Sequence, residues 1–291
     1  MSGESEIPLR VAHNRHLAEE WELVLVAEGL SPRVRPTRDG FVLGVPAEEV
    51  ERATAALSAY ESENPPEPKE GDESVGSAHL LAGLAVAAAL LAFFFVTSVP
   101  NPAVPWFERG SADVDRILLG ELWRPVTALT LHADLGHVVV NAIASVLFLS
   151  AVSGTLGLGL GYALVLLAGA GGNLANALLH GSLHVSVGAS TSVFGAIGLL
   201  GGLGVVRRRR IGMRGRRAWL PIAAGLAILA MLGTGGERVD LWAHLLGFLV
   251  GGVLGILVAF VVPRPPGLHV QWTLGSAALA VVIYCWSLAL R

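Results

Sequence analysis

A hydroxyl at Ser190 and an imidazole at His244 stand in two long apolar segments more than fifty residues apart, and together they have the makings of a nucleophile and its base. Serine attacks a carbonyl when a neighbouring group removes its proton, and imidazole, titrating near pH 6.5, suits that task at neutral pH. In hydrocarbon no water satisfies either group, so an ionisable side chain inside a membrane-length segment is a functional candidate by default. Ser190 opens its segment, where unpaired backbone N–H groups and the positive end of the helix dipole stabilise a developing oxyanion. His137 and Asn141 are spaced i, i+4 and share one helix face. Each residue alone also has a structural reading, because serine bonds back to its own helix and histidine or asparagine bridges neighbouring helices. Convergence of the four is what would turn structure into chemistry.

The elements that must bring them together are membrane helices. The 291-residue chain is 53% hydrophobic and 15% charged, which marks a polytopic membrane protein. Mostly apolar runs of about 20 residues suffice to span a bilayer, and they fall at 80–99, 136–153, 156–179, 188–206, 219–232, 241–262 and 270–290, seven in all with a short fifth. The net charge of −3 reports topology and no nucleic-acid partner: 16 of the 23 acids lie in residues 1–78, and seven arginines crowd residues 207–217. The positive-inside rule puts that arginine block in the cytoplasm, and threading back puts the N-terminus there too. Residues 100–135 and 233–240 then face outward, as does Arg291, and Ser190 and His244 each follow an outer loop at matching depth. His244, Gly247, Gly251 and Gly255 form one helical stripe, and the fourth span carries small residues at 188, 189, 192, 195, 198, 201 and 202. Two such faces pack at close range.

Ahead of the spans, residues 8–12, 32–36 and 41–45 read as strands and 15–28 and 46–60 as helices, with Asp39-Gly40 as a hairpin signal. The expected organisation is a small cytoplasmic α+β domain at 1–62, an acidic proline-bearing linker at 63–78, a helical core at 79–262 and a further transmembrane helix at 263–291. No cleavable signal peptide is expected, since the first apolar run begins near Leu80. The one cysteine, Cys285, excludes a disulfide framework and a cysteine metal site.

Assembled in order, the motifs resemble the rhomboid family of intramembrane serine proteases. They are Trp123-Arg124 in the first outer loop, His132, His137-x-x-x-Asn141, Gly188-x-Ser190 with Phe194 one turn on, and Ala243-His244-x-x-Gly247-x-x-x-Gly251. The resemblance covers about residues 79–262. It implies an all-α polytopic membrane protein with a rhomboid-like six-helix core plus a C-terminal seventh transmembrane helix, preceded here by the small βαββα soluble domain. It implies Ser190 as nucleophile and His244 as general base, with Asn141, His137 and the Ser190 backbone N–H as oxyanion hole and Phe194 stacked on the His244 ring. It further implies transmembrane protein substrates within the lipid bilayer of a bacterial plasma membrane, and neither a metal nor a cofactor. The family usually has glycine after the nucleophile where this chain has Thr191; its β-branch is expected to narrow the space beside the oxyanion.

Two further readings bear on the site. Asp240, one turn before His244, is expected to start its helix and not to complete a triad. Asn173, Asn176, His180 and His184 are expected to be loop and cap residues at the outer surface. An inactive rhomboid-like binder or quality-control adaptor is the alternative function, with Thr191 as the feature that lends it weight.

Overall fold

The computed structural model describes residues 6–12, 15–37, 40–64, 73–99, 104–180, 184–232 and 240–291, and they fall into two compact units, Met1–Asp72 and Glu73–Arg291. Asp39 of the expected turn, residues 65–72 of the expected acidic linker and most of the expected outer loop at 233–240 lie outside the described residues, as does the side chain of His180.

The first unit runs β1 (Glu6–Ala12), α1 (Arg15–Ala27), β2 (Arg33–Thr37), β3 (Gly40–Pro46) and α2 (Val50–Glu63), the expected βαββα order. The strands form an antiparallel sheet in the order β1-β3-β2. Ala18, Trp21 and Leu25 recur at helical spacing on α1, and Ala53 and Leu57 on α2. They close over Leu43 and Val45, alternate residues of the central strand, to form a small core.

The second unit contains α3 (Glu73–Thr97), α4 (Trp106–Gly110), β4 (Ala112–Asp113), α5 (Val114–Leu118), α6 (Arg124–Thr127), α7 (Leu135–Leu156), α8 (Leu158–His180), β5 (Val185–Ser186), α9 (Ser190–Arg210), α10 (Leu220–Leu232), α11 (Leu241–Val261) and α12 (Leu268–Ala289). Six of these helices, α3, α7, α8, α9, α11 and α12, are long and apolar enough to cross a membrane, so the protein is an integral multi-pass membrane protein. The short helices α4, α5 and α6 belong to the loop between the first two spans. Within the bundle α9 is central and α12 peripheral: 67% of the apolar stretch of α9 is buried against 17% for α12.

The expected fifth span is the one that differs. The helix α10 has 13 residues, about 20 Å at 1.5 Å per residue, against a hydrocarbon core of about 30 Å. A crossing is still required there, because α9 and α11 run parallel. A Cβ on Gly247 would meet Thr191, one on Gly251 would meet Gly195, and one on Gly255 would meet Leu199, so both chains advance in the same direction. The intervening chain must return from the arginine end of α9 to the start of α11, and α10 lies on that path.

The parallel contact is built on missing side chains. Besides the stripe on α11, Gly198 abuts the Phe248 carbonyl and the Gly252 backbone, and Gly202 abuts Gly252 and the Ile256 N–H. Substituting Gly198 by Ala should therefore destabilise the bundle by about 1–3 kcal/mol or more. Gly154 on α7 has nothing within 4 Å of a Cβ position, so Gly154→Ala should be neutral or stabilising by up to about 1 kcal/mol. Thermal unfolding of the two variants in detergent checks the contrast.

Candidate active site

Ser190 is the first residue of α9, and the chain entering it is fastened to the loop between α3 and α7. Strand β5 pairs with β4, the Val114 N–H donates to the His184 carbonyl at 3.0 Å, and the Gly188 N–H donates to the Ala128 carbonyl at 2.9 Å. The Ala189 N–H donates to Nε2 of His132 at 3.3 Å. His132 is fully buried, and burial, with the facing His137 ring second, pushes its pKa down to about 4. Its imidazole is therefore neutral at ordinary pH, as an acceptor must be.

The loop is itself held by the Trp123-Arg124 pair. The Arg124 guanidinium, 1% exposed, donates from Nε to Glu121 at 2.6 Å and from its two terminal nitrogens to the Ser111 and Glu108 carbonyls, each at 2.9 Å. A buried charge persists where its donors are met in this way. The indole N–H of Trp123 donates to the Arg109 carbonyl at 3.4 Å, and the Thr127 hydroxyl donates to the Gly110 carbonyl at 2.7 Å.

Across the glycine contact, His244 lies in the first turn of α11, 7% exposed, with Nε2 2.8 Å from the Ser190 hydroxyl. The Phe194 ring lies against the imidazole at 4.6 Å between centroids, tilted by 36°. Asp240 caps α11, its Oδ1 accepting the Ala243 N–H at 2.9 Å. Its Oδ2 takes the Asn176 amide at 2.9 Å and Nε2 of His184 at 2.6 Å. Burial raises the Asp240 carboxyl, but the Ala243 N–H and His184 outweigh it and hold the group below the usual carboxylate range. Asp240 is thus engaged as a helix cap, as expected.

His137 and Asn141 meet this site from α7. A methyl group placed on Gly188 would lie 2.6 Å from Nε2 of His137 and 3.4 Å from the side-chain nitrogen of Asn141, and Gly188 itself has φ +128°. Glycine is required there both for the backbone angle and for the room. Asn141 is buried, and its side-chain nitrogen has no hydrogen-bond partner among the described residues. A buried donor left open beside a serine at a helix N-terminus is suited to receive charge that appears only during reaction.

The Thr191 methyl faces the places where Gly172 of α8 and Gly247 of α11 lack a side chain, 2.8 and 2.9 Å from their Cβ positions. One expectation changes. Asn173 and Asn176 are not loop or cap residues but lie buried within α8; Asn173 donates to the Pro125 carbonyl at 3.0 Å, tying α8 to the outer loop. Sequence reasoning missed the Asn176–Asp240–His184 cluster. Its available signal was the i, i+3 spacing of two asparagines in an otherwise apolar helix.

Residues 119–260 match the family model described as Rhomboid domain. Over 176 residues the chain is 27% identical to "Putative rhomboid protease YdcA" of Bacillus subtilis (strain 168), covering 60% of this chain and 85% of that protein. It is 32% identical over 134 residues to "Rhomboid-like protease 3" of Toxoplasma gondii, covering 46% of this chain and 51% of the relative. It is 29% identical over 158 residues to "RHOMBOID-like protein 6, mitochondrial" of Arabidopsis thaliana, covering 51% and 48%. The chain thus spans about half the length of the latter two relatives.

The His132 contact has a pH signature. Its folded pKa of about 4 lies below the ordinary 6.5, so between those values the unfolded chain binds the extra proton. The stability this neutral contact supports is present above pH 6.5 and falls as pH drops toward 4, by up to about 3 kcal/mol. Thermal unfolding across that range should show the loss, and His132→Gln, which keeps an acceptor without the titration, should flatten it.

Proposed function

The chain carries a rhomboid domain, and from that premise we propose that it is an intramembrane serine endopeptidase using a Ser190–His244 dyad. The observation that carries the reading is the 2.8 Å contact between the Ser190 hydroxyl and Nε2 of His244 at the starts of two membrane helices. In this mechanism His244 takes the hydroxyl proton as Oγ attacks the peptide carbonyl, and the charge on the carbonyl oxygen falls among the Asn141 amide, His137 and the Ser190 backbone N–H. Collapse of that intermediate breaks the C–N bond, and His244 returns the proton to the leaving amine. A water, deprotonated by His244, then hydrolyses the acyl-enzyme and frees Ser190. Phe194 holds the imidazole plane, and Asp240 acts through the helix it caps.

The substrates on this reading are transmembrane segments of other membrane proteins, cut near the outer leaflet. A peptide bond in an intact helix is sterically hidden and its backbone groups are satisfied, so segments with helix-destabilising residues are favoured. The arginine block at the far end of α9, about 31 Å along its 21 residues from Ser190, supports a cytoplasmic N-terminus and an outward site in a bacterial plasma membrane. Thr191, the feature that would favour an inactive adaptor, packs its methyl against Gly172 and Gly247, which is compatible with the protease reading.

A fluorophosphonate should label the wild-type protein at Ser190, and Ser190→Ala and His244→Ala should each abolish cleavage of a transmembrane substrate in proteoliposomes. Cleavage by Ser190→Ala would sink the mechanism. Asp240→Ala should slow the reaction only about ten-fold or less, through loss of the cap; a loss of several orders of magnitude would make Asp240 the third member of a triad.

A further inference from the structure

The helix α12 lies beyond the matched residues 119–260, yet it reaches the loop that carries the approach to Ser190. Its lower end is pinned by Gln271, whose Oε1 accepts the Leu160 N–H at 2.9 Å and whose amide donates to the Leu156 carbonyl at 2.8 Å. One side chain thus satisfies two helix-terminal groups at the turn between α7 and α8. Gly159 lets the α12 backbone come against that turn, since a Cβ there would meet the Gln271 backbone.

At the other end Trp286 turns into the outer loop. Its indole N–H donates to the Thr130 hydroxyl at 3.0 Å, and that hydroxyl donates onward to the Thr127 carbonyl at 2.8 Å. The ring lies over Gly110, where a Cβ would strike it. It also packs edge-on with Phe93 of α3 and Trp106 of α4, at 5.4 and 5.3 Å between centroids. Arg109 adds a bond to the Ala289 carbonyl at 3.3 Å.

Thr130 lies between the two residues that hold the approach to the nucleophile. Ala128 accepts the Gly188 N–H and His132 accepts the Ala189 N–H. A loop of this length, lying at a membrane surface, has many conformations open to it, and fixing Thr130 restricts the two acceptors on either side. We propose that α12 is a positioning element of the active site, in which Trp286, through Thr130, fixes the Ala128–His132 segment and so the Gly188-Ala189 backbone in front of Ser190. The consequence for rate rests on the protease reading; the consequence for order does not.

The test uses the full chain in detergent and two readouts, the rate of fluorophosphonate labelling at Ser190 and hydrogen exchange of the Gly188 and Ala189 amides. Trp286→Phe keeps an aromatic ring and removes the donor; Thr130→Val removes the acceptor. Each should slow labelling about three- to ten-fold and raise exchange at both amides, and the double variant should be no worse than either single one. Tyr284, 60% exposed on α12, should tolerate substitution by Ala with both readouts unchanged. Singles that leave exchange at the two amides as in the wild type, or effects that multiply in the double variant, would overturn the proposal. Absence of labelling in the wild type would instead defeat the protease reading, while exchange still decides the role of α12.

Discussion

The distance between Ser190 and His244 is set by how closely two backbones approach. They sit on parallel helices with no covalent link shorter than 54 residues, and their hydrogen bond requires α9 and α11 to meet where side chains would ordinarily hold helices 8–10 Å apart. Glycines at 195, 198, 202, 247, 251 and 255 remove those side chains along the whole seam. In a membrane there is little hydrophobic gain from bringing apolar helices together, so packing and polar contacts must supply the association. The seam that positions Ser190 against His244 is therefore also what holds the centre of the bundle.

Positioning the other half of the site falls to the outer loop, and the physics there is different. Loops are ordered by hydrogen bonds more than by burial, and this one uses a buried guanidinium, a threonine and a pair of short strands to satisfy its own carbonyls. Once ordered, it offers two acceptors, Ala128 and His132, to the backbone that precedes Ser190. Ser190 is thus held from two sides, by the helix it begins and by the loop against which its approach is laid.

How much of this could be read in advance depends on whether a feature leaves a mark in residue type. Long apolar runs, the alternating residues of β3, the small-residue stripes and the Asp-cap at 240 all do, and each element was legible from them. The 2.8 Å contact of Ser190 with His244 was legible as matching depth on two such stripes. The bonds from Gly188 and Ala189 to the loop were not, because backbone donors and acceptors exist at nearly every residue and their pairing has no signature. The short α10 was legible as an apolar run, the segment 219–232 against the helix Leu220–Leu232. Asn176 and His184 were visible as polar residues, but only the fold shows that Asp240 gathers them.

Thr191 brings these strands together. The residue after Ser190 is β-branched, and its backbone N–H lies in the first turn of α9, where any residue supplies it. The threonine methyl occupies the volume left open by Gly172 on α8 and Gly247 on α11. Three helices therefore meet at one methyl group on the residue after Ser190. Thr191 is a knob set between glycines, and it couples the position of α8 to the α9–α11 seam on which the Ser190–His244 distance depends.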